Sequence, residues 1–138
     1  MAGIHFGFDN FKQLLDLSIG LAQRLDESRA ESFTLLYCDF LAVEQSVIDS
    51  SLEQILRNSD AIVNSGSDYF FLLPYTDKYG AQIVKDMFDE FFEKNLSSCV
   101  VSYPVDGENT NALIEELADN ISVTCKKDLK CLVNFNLY

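Results

Sequence analysis

The chain has 138 residues, 22 acidic against 10 basic side chains for a net charge of −12, and 48% hydrophobic residues, with 11 Phe and 6 Tyr. That size and apolar content specify a single domain, residues 1–138, whose core needs neither disulfides nor metal to hold it. The acidic balance excludes phosphate-backbone and anionic-membrane surfaces, so neither nucleic acid nor membrane is an expected partner; a small phosphate ligand responds to local charge and is not excluded.

The four cysteines, Cys38, Cys99, Cys125 and Cys131, form no CxxC pair and lie in or beside apolar runs, as buried reduced thiols do. The start, MAGIHFGFDN, has no basic region followed by a long apolar run, and no apolar run is long enough to span a bilayer. A cytoplasmic protein is expected.

In chain order, Phe11, Leu14, Leu15, Leu21, Ala22 and Leu25 recur at helical spacing and predict a helix over Asp9–Ser28. Ser32–Phe40 is β-rich and apolar, as a buried central strand is. Leu41–Asn58 returns to helical spacing through Val47, Ile48, Leu52, Ile55 and Leu56. Asp60–Ser65 and Asp68–Pro74 are two short strands joined by the tight turn Ser65-Gly66-Ser67, and Pro74 closes the second. Asp77–Lys94 is a helix with Ile83, Met87, Phe88, Phe91 and Phe92 expected inward. Ser97–Tyr103 is a strand and Pro104–Gly107 a turn. Asn109–Lys126 is a helix built on Leu113, Ile114, Leu117 and Ile121, and Cys131–Leu137 is a last strand. The fold class is α/β (α+β): a ferredoxin-like split βαβ unit, with helices on one face of its sheet, extended by an N-terminal helix and a C-terminal strand.

The most informative stretch is Arg57–Pro74, RNSDAIVNSGSDYFFLLP. Its hairpin Gly66-Ser67-Asp68-Tyr69-Phe70 resembles the Gly-Gly-Asp/Glu-Glu-Phe signature of GGDEF domains, which make cyclic di-GMP. Arg57-Asn58-Ser59-Asp60 begins nine residues before Gly66, where that family often has an RxxD inhibitory site for the same dinucleotide. Phe33–Asp39 resembles the family's first strand, which ends in a metal-binding aspartate. Ser97–Pro104 with Asp106-Gly107 is similar to its later strand and turn, and Ala118-Asp119 followed by Lys126 resembles its last helix, where a lysine reaches substrate phosphates. The resemblance runs from about Gly7 to Lys127 and implies a GGDEF-type sheet.

It also implies where activity is lost. Asp39 and Asp68 match the two carboxylates that hold magnesium in active members. Tyr69 replaces the neighbouring glutamate, Ser67 adds a Cβ where a nucleotide would approach backbone, and Asn64 stands where arginine is common. The segment between Asp39 and Asp60 is short, with no clear counterpart for the groups that hold the base and ribose. The expectation is therefore a bacterial, catalytically inactive regulatory module, requiring no cofactor, that binds cyclic di-GMP through Arg57 and Asp60. An arginine fork suits phosphate or guanine, and Asp60 can accept from a guanine N–H edge. The alternative is a ligand-free module for dimerisation or docking of an unidentified protein partner; a residual diguanylate cyclase is disfavoured by Tyr69 and the short segment.

Each residue also has a plain structural reading. Asp39 can cap the next helix and Asp68 can sit in a turn. Arg57 can neutralise a helix end while Asp60 connects it to the strand. Lys126, Lys127 and Lys130 can solvate a helix terminus. A homodimer is expected from phenylalanine content and from an added C-terminal strand at the sheet margin.

Overall fold

A computed structural model describes residues 3–25 and 31–133 of the chain. Its five strands are β1 (Ile4–Phe6), β2 (Glu31–Asp39), β3 (Ala61–Ser65), β4 (Asp68–Pro74) and β5 (Ser98–Pro104). Its helices are α1 (Phe11–Leu25, entered through a 3₁₀ turn at Phe8–Asn10), α2 (Gln45–Ile55), α3 (Lys78–Phe92), α4 (Thr110–Thr124) and α5 (Lys130–Val133). The sheet order is β1-β3-β4-β2-β5. All pairings are antiparallel except β1 with β3, which is parallel.

The unit β2-α2-β3-β4-α3-β5 is the expected split βαβ arrangement. Its two helices pack on one face, where Ile48, Leu52 and Leu56 from the α2 segment and Ala81, Phe88 and Phe92 from α3 meet Leu36, Cys38, Tyr69, Phe71 and Leu73. The other face is not open. Phe11, Leu15 and Ile19 of α1 and Leu113, Ile114, Leu117 and Ile121 of α4 cover it, against Leu35, Tyr37, Phe70 and Val101. Helices on both faces, rather than the one expected, explain why β2 is buried at every residue from Ser32 to Cys38 instead of alternating.

Local chemistry sets the boundaries. Asp77 caps α3 by accepting from Gly80 N at 2.7 Å, and Asn109 caps α4 by accepting from Ala112 N at 2.8 Å. Ser65 pairs with Asp68, so Gly66 and Ser67 form a two-residue hairpin loop. Gly66 has φ +60°, the left-handed conformation that the first position of a type II′ turn requires.

Four further features depart from the expected elements. β1 had no signal: it is three residues long at a sheet edge, with Ile4 and His5 exposed. Residues 131–133 of the expected last strand are helical, because Leu129 and Leu132 are buried at i, i+3 spacing; the remainder of that strand and the end of the first helix lie outside the described residues. Ile83 and Met87 are exposed, since the inward face of α3 runs through Ala81, Lys85, Phe88 and Phe92. Leu21 is likewise exposed on α1. Lys85 can be buried because its ammonium bonds to Asp89 and Asn95. No helix among the described residues is long and apolar enough to cross a membrane.

Candidate functional site

The β2–β4 ladder ends on the pair Asp39↔Asp68. Side chains directly opposite in an antiparallel pair share a face, so two carboxylates are forced together there. Like charges at that spacing repel unless a cation lies between them. The cation is Lys127, whose Nζ donates to Asp68 Oδ1 at 3.0 Å and Asp39 Oδ2 at 3.2 Å. Tyr37 Oη donates to the same Asp68 oxygen at 2.6 Å, and the ammonium sits 6.0 Å from the Tyr37 ring centroid. The lysine side chain is 33% exposed and the two aspartates about a fifth. Burial works against the charge of Lys127, but its bonds to Asp68 and Asp39 outweigh it and hold the ammonium above the usual lysine range. Burial and the Asp68 bond both push the Tyr37 phenol up, so it stays a donor.

Lys127 reaches the pair because α4 ends at Thr124 and Lys126 takes a left-handed φ of +56°, turning the chain back. Lys126, the lysine assigned to phosphates, is exposed and the side chain that meets the carboxylates is its neighbour. Asp39 does not cap the next helix: its Oδ1 accepts from Leu41 N at 3.0 Å, and α2 begins later with Glu44 at its cap. Asp39 and Asp68 supply carboxylate oxygens, the donor type magnesium takes. With a bonded ammonium between them, the set does not fit a divalent cation. Among the described residues no group of three or more His, Cys, Asp or Glu is placed to hold a metal ion.

Tyr69 is not beside this pair. Period-two alternation sends it to the opposite face, where it is 2% exposed and its ring lies 4.8 Å from that of Phe40. Its hydroxyl accepts from Gln45 Nε2 at 3.3 Å. Phe70 of the hairpin faces the Asp68 side, with ring centroids 5.3 Å from Tyr37 and from Phe11. Ser67 is partly exposed and its carbonyl accepts from Phe40 N at 2.9 Å, which docks the hairpin tip onto the end of β2. Asn64 holds the tip from the other side: its amide donates to Gly66 O, and its carbonyl oxygen is 2.7 Å from His5 Nε2.

Arg57 and Asp60 form a second cluster at the far end of the hairpin, on the order of 20 Å from the carboxylate pair by strand length. They are bonded to each other: Arg57 Nη2 donates to Asp60 Oδ1 at 3.0 Å, and Arg57 N donates to Asp60 Oδ2 at 2.8 Å. The same Nη2 reaches Pro74 O at 2.9 Å and Thr76 Oγ1 at 3.0 Å. Arg57 is 55% exposed and Asp60 only 2%. The loop also anchors β1, since Gly3 N donates to Arg57 O and Ile4 N to Asp60 O. Asp60, expected to accept from a guanine edge, instead accepts from Arg57 with both oxygens, and this cluster lies at the opposite end of the hairpin from Asp39 and Asp68.

No family model matches the chain, and no curated protein sequence matches it. Solved structures do match. A sensory box/GGDEF family protein from Caulobacter crescentus CB15 aligns with a TM-score of 0.60 at 11% identity, over 88% of this chain and 93% of that one. The S helix-GGDEF-EAL region of Vibrio cholerae LapD, bound to c-di-GMP, aligns with a TM-score of 0.55 at 15% identity, over 84% of this chain. This chain spans 32% of that longer protein. At these identities the likeness concerns architecture, and the chain has a GGDEF-like fold.

Proposed function

We propose that this chain is a non-catalytic GGDEF-type regulatory module, cytoplasmic and bacterial, that works by binding rather than turnover. The observation that carries the reading is the Lys127 ammonium on Asp39 and Asp68. It neutralises internally the carboxylates to which the family resemblance assigns a divalent cation, which supports binding without metal-dependent turnover. The short segment between Asp39 and Asp60, whose one helix is α2, supports the same reading.

The ligand favoured is cyclic di-GMP, at Arg57. More than half of this side chain is exposed, and its guanidinium is steered through Nη2 by Asp60, Pro74 and Thr76. Asp60, with both oxygens engaged and almost no exposure, serves as the positioning residue in this reading. The c-di-GMP-bound neighbour lends this ligand support through its fold.

Calorimetric titration with cyclic di-GMP, then with GTP plus magnesium, tests the proposal. Saturable heat with the first and no turnover of the second is expected; conversion of GTP to cyclic di-GMP above a protein-free blank rejects it. One observation favours a second reading, a module that docks protein and binds no nucleotide. Helix α3 exposes Tyr79, Ile83 and Met87 one turn apart. Silence toward cyclic di-GMP at millimolar concentration, with self-association by light scattering, selects it.

A further inference from the structure

Two thiols outside the carboxylate cluster lie in contact: Cys99 Sγ and Cys125 Sγ are 3.9 Å apart. Cys99 is on β5, directly across from Tyr37 of β2, and Cys125 ends α4. Cys99 is buried and Cys125 half-buried. A disulfide needs sulfurs about 2.05 Å apart, so closure requires a shift of roughly 2 Å. Cys125 lies where α4 gives way to the turn at Lys126, outside any strand ladder, so it is the partner able to move. We propose that Cys99 and Cys125 are an oxidation site, at which a hydroperoxide joins them as a disulfide between β5 and the end of α4.

The chemistry balances without a further reactant. The sulfur of Cys125, the more exposed residue, attacks the terminal peroxide oxygen, the O–O bond breaks, and water, or the alcohol of an organic hydroperoxide, leaves with the thiol proton, giving a sulfenic acid. The Cys99 sulfur then attacks that sulfur, the S–S bond forms, and the S–O bond breaks as water departs with the Cys99 proton. The thiols lose two electrons and the peroxide gains them. Burial, with Cys125 alongside, pushes the Cys99 thiol up to about 12, which argues against Cys99 as the thiol that meets the peroxide first; its contact with Cys125 places it to close the bond. The bond would pin the segment two residues before Lys127 to the strand beside Tyr37, so both ends of the link abut groups that contact Asp68. Such linkages in reducing compartments are transient and redox-sensing. The inference does not depend on what the module binds.

The test uses the intact chain, treated with hydrogen peroxide and quenched with an alkylating agent. No Lys or Arg lies between Asn95 and Thr124, so both cysteines fall in the tryptic peptide ending at Lys126, whereas Cys131 falls in another. The expected result is loss of two of the four thiols and a 95–126 peptide lighter by two hydrogens, restored by dithiothreitol. Cys125→Ala and Cys99→Ser abolish it and Cys131→Ser leaves it intact; because Cys125 is half-buried, its variant keeps the test decisive even where Cys99→Ser fails to fold. Over-oxidation of Cys125 without a link, or a link joining the 95–126 peptide to that of Cys131, overturns the proposal.

Discussion

Asp39 and Asp68 face each other at the last register position of β2 and β4, and one ammonium, that of Lys127, bonds to both. Strand pairing alone fixes the two carboxylates, while the cation comes from a segment more than fifty residues further along the chain. The sheet end is thereby held to the residues that follow α4. What the family resemblance presents as a cation site is an internal ion triad.

Lys127→Ala therefore leaves two adjacent carboxylates without a cation. Hydrogen bonds to charged groups contribute about 1.5–3 kcal/mol, reduced here by solvent screening at a side chain one-third exposed, so a loss of about 1–2 kcal/mol is expected. The folded-state pKa of Lys127 lies above its unfolded value of 10.5. Its contribution is therefore complete below that value and disappears as pH rises through the raised one. Urea unfolding of both proteins should show a constant gap from neutral pH to mildly alkaline pH, closing only on the far alkaline side.

Arg57 and Asp60 should separate by readout. Asp60→Ala removes a buried acceptor for the Arg57 amide and guanidinium, and about 2–3 kcal/mol of stability should go with it. Arg57→Ala should cost about 1 kcal/mol, because its side chain is mostly exposed. In binding the order reverses in meaning: under the proposed function, Arg57→Ala should weaken cyclic di-GMP by roughly ten- to a hundredfold. Denaturation and calorimetry on the same two variants check both statements.

Restoring the signature acid should fail for a structural reason. Tyr69→Glu places a carboxylate among Phe40, Phe71 and Leu73 on the face away from Asp68, and about 3–5 kcal/mol of destabilisation is expected. Tyr69→Phe gives up one long bond to Gln45 and should change stability by less than about 1 kcal/mol. Thermal melts of the two variants distinguish them, and GTP turnover by Tyr69→Glu contradicts the placement.

The hairpin was legible because its residues carry local instructions: Gly66 for the turn, apolar runs on both sides, and Pro74 at the end. The Arg57–Asp60 ion pair was not read from the sequence, although three-residue spacing at a helix exit lets the two side chains meet. Lys127 was not, because Lys126 and Lys127 are chemically identical and only the left-handed turn at Lys126 decides which one enters the cluster. The face occupied by Tyr69 was recoverable from strand alternation with Asp68. The helical end at Lys130–Val133 was hidden by β-branched and aromatic residues around it, although Leu129 and Leu132 already stood at helical spacing.

Cation titration followed by thermal unfolding tests the internal-cation account most directly. Anything that binds only the folded chain raises its melting temperature. The account predicts that millimolar magnesium or manganese leaves the wild-type transition unmoved, and that Lys127→Ala, with Asp39 and Asp68 unoccupied, gains several degrees. An equal rise in both proteins, or a rise in wild type alone, would contradict it.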